Sequence, residues 1–372
     1  MNPARRRWLR MLSGATVPTA LSAAAAPAAA PPAQASAVRA DRPITLPRDH
    51  GAHLDARTEW WYATAWLGDA RGEPTHGFQL TFFRSRTGLA HGLTSRFAAR
   101  HLLFAHAAVT VLAEGRHLHD QRIARWSGAA GSALASASAS DGDVALGGWT
   151  LRHDGAAWRA RLPAQGFSLD LSLSRTQPPL LQGDAGFSRK GPQERQASHY
   201  YSEPQLAARG QLGLAGSVAP ASGRAWLDHE WSDEILHPEA VGWDWIGINL
   251  FDGSALTVFV LRRRDGTALW AGGSFRAAGQ ASRSFAPHEV QMTPGRRWRS
   301  PSSAAVYPVQ WQLQTPAGPF SLRALLDAQE LDSRASTGTV YWEGLSELLD
   351  GQGRRVGLGY LEMTGYAAPL RL

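Results

Sequence analysis

Cysteine is absent from all 372 residues. That absence alone removes disulfides, thiolate zinc sites, iron–sulfur clusters and cysteine nucleophiles. Lysine is nearly absent as well: Lys190 is the only one among 38 basic residues. No apolar run approaches the ~20 residues that a bilayer-spanning helix requires. With 44% hydrophobic and 19% charged residues, the composition excludes a mostly disordered chain. A single core rarely grows past ~250–300 residues, so two domains are expected.

A basic stripe is also missing. The densest basic cluster is Arg5, Arg6, Arg7 and Arg10, and losing those four arginines lowers the net charge from +7 to +3. A nearly neutral remainder has no electrostatic claim on nucleic acid. The same cluster begins an export pattern: basic start, alanine-rich middle from Met11 to about Ala30, and Ala35-Ser36-Ala37 as a small-residue exit. Pro18, Pro27, Pro31 and Pro32 oppose an anchoring helix. Adjacent arginines before Trp8 and Leu9 resemble the twin-arginine signal. Residues 1–37 are therefore expected to direct export to the periplasm or beyond.

What remains reads as strands. Phe167, Leu169, Leu171 and Leu173 alternate with Ser168, Asp170, Ser172 and Ser174, the period of a half-buried strand. Similar segments are expected at 60–67, 76–84, 101–112, 147–153, 212–218, 224–232 and 242–250. Others follow at 254–262, 267–275, 309–314, 320–326, 339–345 and 356–366. Asp252-Gly253, Asp265-Gly266 and Asp350-Gly351 are hairpin dipeptides. Residues 127–143 read as a long loop, and 175–203 as a polar crossing. The expected fold is all-β, with antiparallel barrels or sandwiches.

Fifteen tryptophans are the next feature. Several stand beside acids, as in Glu59-Trp60-Trp61-Tyr62, Trp226-Leu227-Asp228-His229-Glu230-Trp231, Trp243-Asp244-Trp245 and Tyr341-Trp342-Glu343. On a strand, Trp226, Asp228 and Glu230 share one face, and Leu227, His229 and Trp231 the other. Asp244 shares its face with Ile246, Ile248 and Leu250, which would raise its pKa. An aromatic cavity with a few acids is one reading. The other is that each acid satisfies a buried indole or phenol.

Signals for other chemistry are weak. There is no G-x-S-x-G and no phosphate-binding loop, and His229-Glu230 lacks the second histidine of a zinc-protease motif. His50, His53 and Asp55, or His117, His119 and Asp120, are short metal-capable groups, but such groups are more often solvated, so no metal is expected. No cofactor is expected either.

Six ordered motifs together resemble one family. They are Glu59-Trp60-Trp61-Tyr62, Ser198-His199-Tyr200-Tyr201-Ser202, Ala225 to Trp231, Gly242-Trp243-Asp244-Trp245, Tyr341-Trp342-Glu343-Gly344 and Gly359 to Tyr366. The family is the carotenoid 1,2-hydratase (hydroxyneurosporene synthase)-like one, which has an exported branch often labelled secreted hydrolases. The match spans about Asp55 to Tyr366. The resemblance implies two packed lipocalin-like β-barrel domains, set here at 38–234 and 235–372, and a hydrophobic ligand such as an isoprenoid or lipid. Ala65 stands where relatives commonly have glycine.

The expected activity is a cofactor-free hydro-lyase that adds water to an alkene. A carboxyl kept neutral by an apolar lining can donate the proton, and aromatic faces stabilise the cation. Asp228 is the expected acid, with Glu230 and Asp244 orienting water or sharing the proton. Trp61, Tyr201, Trp226, Trp243, Trp245 and Tyr341 form the expected ligand-binding set. The expected partner is the hydrophobic small molecule, with membrane lipids or a transport complex as peripheral contacts. The alternatives are a non-catalytic periplasmic lipid carrier and a hydrolase using activated water.

Overall fold

The chain forms two large antiparallel sheets and one short two-stranded sheet, Arg297–Arg299 with Val306–Pro308. The computed structural model describes residues 38–370, apart from 91, 96, 130, 131 and 133. The expected export segment, 1–37, lies outside the described residues. Among them there is no α-helix, only three short 3-10 turns at Arg48–His50, Leu112–Glu114 and Pro287–Glu289.

The first sheet has thirteen strands drawn from Thr58–Gly68 through Ser217–Ser232. Its path runs from Arg116–Trp126 at one end to Ala135–Ala137 at the other. The sheet curls into a nearly closed barrel. Arg122 helps to close the seam: its Nη2 donates to the Pro163 carbonyl at 2.8 Å, and its guanidinium lies 4.5 Å from the Trp149 ring centroid. Such stacking on an indole suits the planar guanidinium. Inside the barrel, Trp61, Phe78, Leu103, Trp149, Trp158 and Leu227 belong to one apolar core.

The second sheet has ten strands between Ala240–Leu250 and Arg355–Met363 in the chain. It curves around its own core, which includes Ile246, Val258, Trp311, Trp342 and Leu361. Among the described residues, no ladder joins these two large sheets. They instead pack through side chains, and the described residues belong to one compact unit.

Burial patterns show which strands lie at that boundary. Phe167–Ser174 alternates between buried and more exposed positions, as a strand with one wet face should. The middle of Thr58–Gly68 is buried on both faces. Trp61, Ala63 and Ala65 point into the barrel, whereas Trp60, Tyr62 and Trp66 point toward the second sheet. The boundary cluster also contains Trp226, Trp245, Phe259, Leu345 and Tyr360.

Several expected elements need correction. Residues 212–218 do not form a strand, because Leu214 and Ser217 pair across a hairpin turn at Ala215 and Gly216. Both turn residues have positive φ, 49° and 82°, as the favoured hairpin turn demands. The turn is built from Ala215 and Gly216, which carry none of the Asn-Gly or Asp-Gly signature of a hairpin dipeptide. The loop expected at 127–143 contains the strand Ala135–Ala137, which completes the sheet's edge. The crossing expected at 175–203 contains Leu180–Leu181, Phe187–Arg189 and the start of Ala197–Leu214, all paired in the first sheet. Polar composition hid these strands, because the short ones are set by backbone pairing with Ala197–Leu214 and carry only one or two apolar side chains each.

Candidate functional site

Asp228 sits between Tyr62 and Ser202 on the two neighbouring strands of the first sheet. Its side chain faces the second sheet and is buried. Oδ1 accepts hydrogen bonds from Ser202 Oγ at 2.6 Å and Trp226 Nε1 at 2.7 Å, and Oδ2 accepts one from Tyr200 Oη at 2.8 Å. Burial pushes its pKa up to about 7 against those three donors, and the nearby Glu230 charge adds to the rise. Tyr200 Oη in turn accepts from Trp245 Nε1 at 3.2 Å, linking the two sheets.

Glu230 lies two residues along the same face. It pairs with Lys190 Nζ at 2.9 Å and accepts a hydrogen bond from Ser198 Oγ. The ammonium also rests 4.2 Å from the Phe259 ring centroid and 4.7 Å from that of Tyr200. The chain's single lysine is thus held by an acid and two aromatic faces. Phe259 connects this corner to a cleft of about 570 Å³, lined also by Ser188, Arg189, Trp270, Phe285 and Pro287.

Across the boundary, Glu343 and Glu362 are direct cross-strand partners in the second sheet. Burial pushes the Glu343 carboxyl well above the usual range, and the Glu362 charge drives it the same way. Burial likewise raises Glu362 to about 7, opposed by the Trp243 indole and reinforced by Asp228, Glu230 and Asp244. Two adjacent carboxyls in a dry site cannot both ionise readily, so the pair retains a proton. Glu343 Oε1 and the facing Tyr62 hydroxyl each lack a completed hydrogen bond. Tyr341 is on the Glu343 face, with its hydroxyl 2.8 Å from His106 Nδ1.

The structure therefore brings Asp228, Glu230, Trp226, Trp243, Trp245 and Tyr341 to the boundary. It places three other expected residues elsewhere. Asp244 points into the second sheet's core, where Arg262 Nε lies 2.7 Å from Oδ2 and Tyr366 Oη donates to Oδ1 at 3.0 Å. Burial still raises Asp244 to about 6 despite Arg262 and Tyr366. Trp61 and Tyr201 face the barrel interior: Trp61 stacks on His229 with centroids 4.8 Å apart, and Tyr201 Oη is 2.7 Å from His50 Nδ1. Glu343, Glu362, Tyr62, Tyr200 and Lys190 were not among the expected site residues. Shared alternation of Tyr341 with Glu343, and of Tyr360 with Glu362, was the available signal.

That interior holds a different polar cluster. Glu59 contacts Arg84 Nε at 2.8 Å, His53 Nδ1 at 2.8 Å and His229 Nε2 at 3.0 Å. Burial opposes its ionisation, but Arg84 and the two histidines outweigh it and hold its pKa well below the ordinary value. The metal-capable groups anticipated from the sequence are not assembled as such. His50 and His53 take different partners, and Asp55 is exposed. His117 Nδ1 is 2.9 Å from Thr110 Oγ1, while Asp120 accepts backbone hydrogen bonds from Gln121 and Gln165.

Residues 37–366 match the model of the AttH-like family. The chain belongs to the AttH-like family. It is 44% identical to a crystal structure of an AttH from Nitrosomonas europaea, with a TM-score of 0.81 over 88% of this chain and 99% of that one. Kievitone hydratase from Nectria haematococca shares the fold at 14% identity, with a TM-score of 0.65 over 88% of this chain and 94% of its own. CghA does so at 13% identity and a TM-score of 0.51, over 85% and 90%. No curated protein matches the chain. The family and fold agree with the hydratase-like resemblance carried by the six motifs.

Proposed function

We propose that this protein is a cofactor-free acid catalyst that adds water to an alkene of a hydrophobic ligand, isoprenoid or lipid, at the boundary between its sheets. The observation that carries this reading is buried Glu343 set directly opposite half-buried Glu362 on the ladder, a pairing that favours retention of a proton beside aromatic walls. A hydratase is among the proteins that share the fold.

The proton is assigned to Glu343 rather than Asp228. Both Asp228 oxygens are occupied by donors, whereas Glu343 Oε1 is unengaged. In the first step the alkene π pair takes the Glu343 proton, forming one C–H bond and leaving a cation at the other carbon. The new Glu343 carboxylate and the faces of Tyr62, Trp243 and Trp245 stabilise that cation, each desolvated ring by ~0.5–2 kcal/mol. Water then forms the C–O bond and returns a proton to Glu343. Asp228 positions Tyr200 and Trp226, and the cleft beside Phe259 takes the rest of the ligand.

The test uses lipid extracted from the purified native protein, incubated with fresh enzyme in isotope-labelled water and read by mass spectrometry. Wild type should incorporate the label, and Glu343→Gln should lower the rate by about 10²–10⁴, the span of general acid catalysis. Unchanged turnover in Glu343→Gln removes Glu343 from the mechanism. A wild type that releases its lipid unaltered indicates a carrier instead.

We also propose that the protein acts outside the cytoplasm, on the strength of the Arg5 to Leu9 pattern. Replacing Arg6 and Arg7 by lysine should leave precursor in the cytoplasm. Normal periplasmic accumulation of that variant excludes the twin-arginine route.

A further inference from the structure

His50, His153 and Glu203 converge at one side of the first barrel, separate from the carboxyl cluster between the sheets. One ligand-capable atom from each lies within 4.8 Å of the other two. The three come from distant places: the Arg48–His50 turn, the end of the Trp149–His153 strand, and the long Ala197–Leu214 strand. The two imidazole centroids are 4.1 Å apart, with Trp158 packed against both rings.

The surrounding contacts hold these groups as metal ligands are held elsewhere. A ligating imidazole ordinarily has its second nitrogen fixed by a neighbour, and a ligating carboxylate is itself hydrogen-bonded. Tyr201 Oη engages His50 Nδ1 at 2.7 Å, which leaves Nε2 as the nitrogen able to ligate. Arg175 grips Glu203 through Nε and Nη2 at 2.8 and 2.9 Å, and Trp158 Nε1 donates to it at 3.1 Å. His153 Nε2 is buried and has no hydrogen-bond partner. A buried nitrogen left unsatisfied costs free energy unless something engages it.

A second group of similar composition makes the contrast. His53, Glu59 and His229 also lie close together, but His53 Nδ1 and His229 Nε2 both contact Glu59 Oε1, Arg84 holds Oε2, and Asp49 Oδ1 lies 3.2 Å from His53 Nε2. That group satisfies itself. The His50 group does not.

We propose that His50, His153 and Glu203 form a binding site for a divalent transition metal of the zinc class. Two imidazoles and one carboxylate suit zinc and its neighbours, and three protein ligands leave a coordination position for water or a ligand oxygen.

The experiment titrates the chelator-treated full chain with Zn²⁺ by calorimetry, and with Co²⁺ by visible absorption. One equivalent of each metal should bind. His153→Gln should weaken binding by about a hundredfold or more, exceeding the ~10–100-fold expected of an outer-shell change such as Tyr201→Phe. His153 is half-buried and its Nε2 has no hydrogen-bond partner, so this variant should fold, as circular dichroism would confirm. Absence of stoichiometric binding by wild type, or unchanged binding by folded His153→Gln, overturns the proposal.

Discussion

Glu59 and Glu343 are both buried glutamates on central strands, yet they are held in opposite protonation states. Glu59, inside the barrel, faces a guanidinium and two imidazoles at 2.8–3.0 Å. Glu343, between the sheets, faces a second carboxyl across its ladder. Depth raises both pKa values; the partner decides whether the rise survives. One cluster therefore acts as an ionic staple, and the other stores a proton.

Breaking the staple should produce the largest effect. Arg84→Ala strips the guanidinium from buried Glu59, leaving it only the two imidazoles, and should cost about 3–5 kcal/mol in urea unfolding. A loss below ~1 kcal/mol would show that the histidines alone suffice. Asp228→Asn should cost less, about 1–3 kcal/mol, because an amide nitrogen meets one of the three donors now bonded to the carboxyl. The same urea titration measures it.

The comparison sharpens with pH. Asp228 and Glu362, both raised to about 7, keep protons in the folded state that the unfolded chain releases above pH ~4. Their contribution is full below pH ~4, falls as pH rises to about 7, and is level beyond. Glu59 has the opposite sign, since its depressed pKa gives stability that is lost as pH falls through the acid range. Thermal midpoints between pH 4 and 8 should decline less steeply in Asp228→Asn than in wild type. Superimposable profiles would contradict the raised value. Smallest of all is the expected stability change for Glu343→Gln, under ~1 kcal/mol, since a neutral amide replaces a neutral acid.

Much of this was legible in the sequence, but unevenly. Alternation at Trp226, Asp228 and Glu230 gave their common face, and Asp244 was correctly grouped with Ile246 and Ile248. What alternation cannot give is register between strands. Glu343 and Glu362 are each ordinary acids until the ladder sets them opposite one another. The Glu59 cluster gathers His53, Arg84 and His229 from three separate segments, so its geometry exists only in the closed barrel. Ser198-His199-Tyr200-Tyr201-Ser202 stood out as a motif, yet only its pairing shows Tyr200 turned toward Asp228 and Tyr201 toward His50.

Infrared spectroscopy tests the central claim most directly, because a protonated carboxyl has a carbonyl stretch distinct from that of a carboxylate. At pH 7 the wild-type protein should show a buried carboxylic-acid band, and Glu343→Gln should lose a substantial part of it while Glu59→Gln leaves it intact. A wild-type spectrum with no carboxylic-acid band at pH 7, or a band that Glu343→Gln leaves unchanged, would contradict the account.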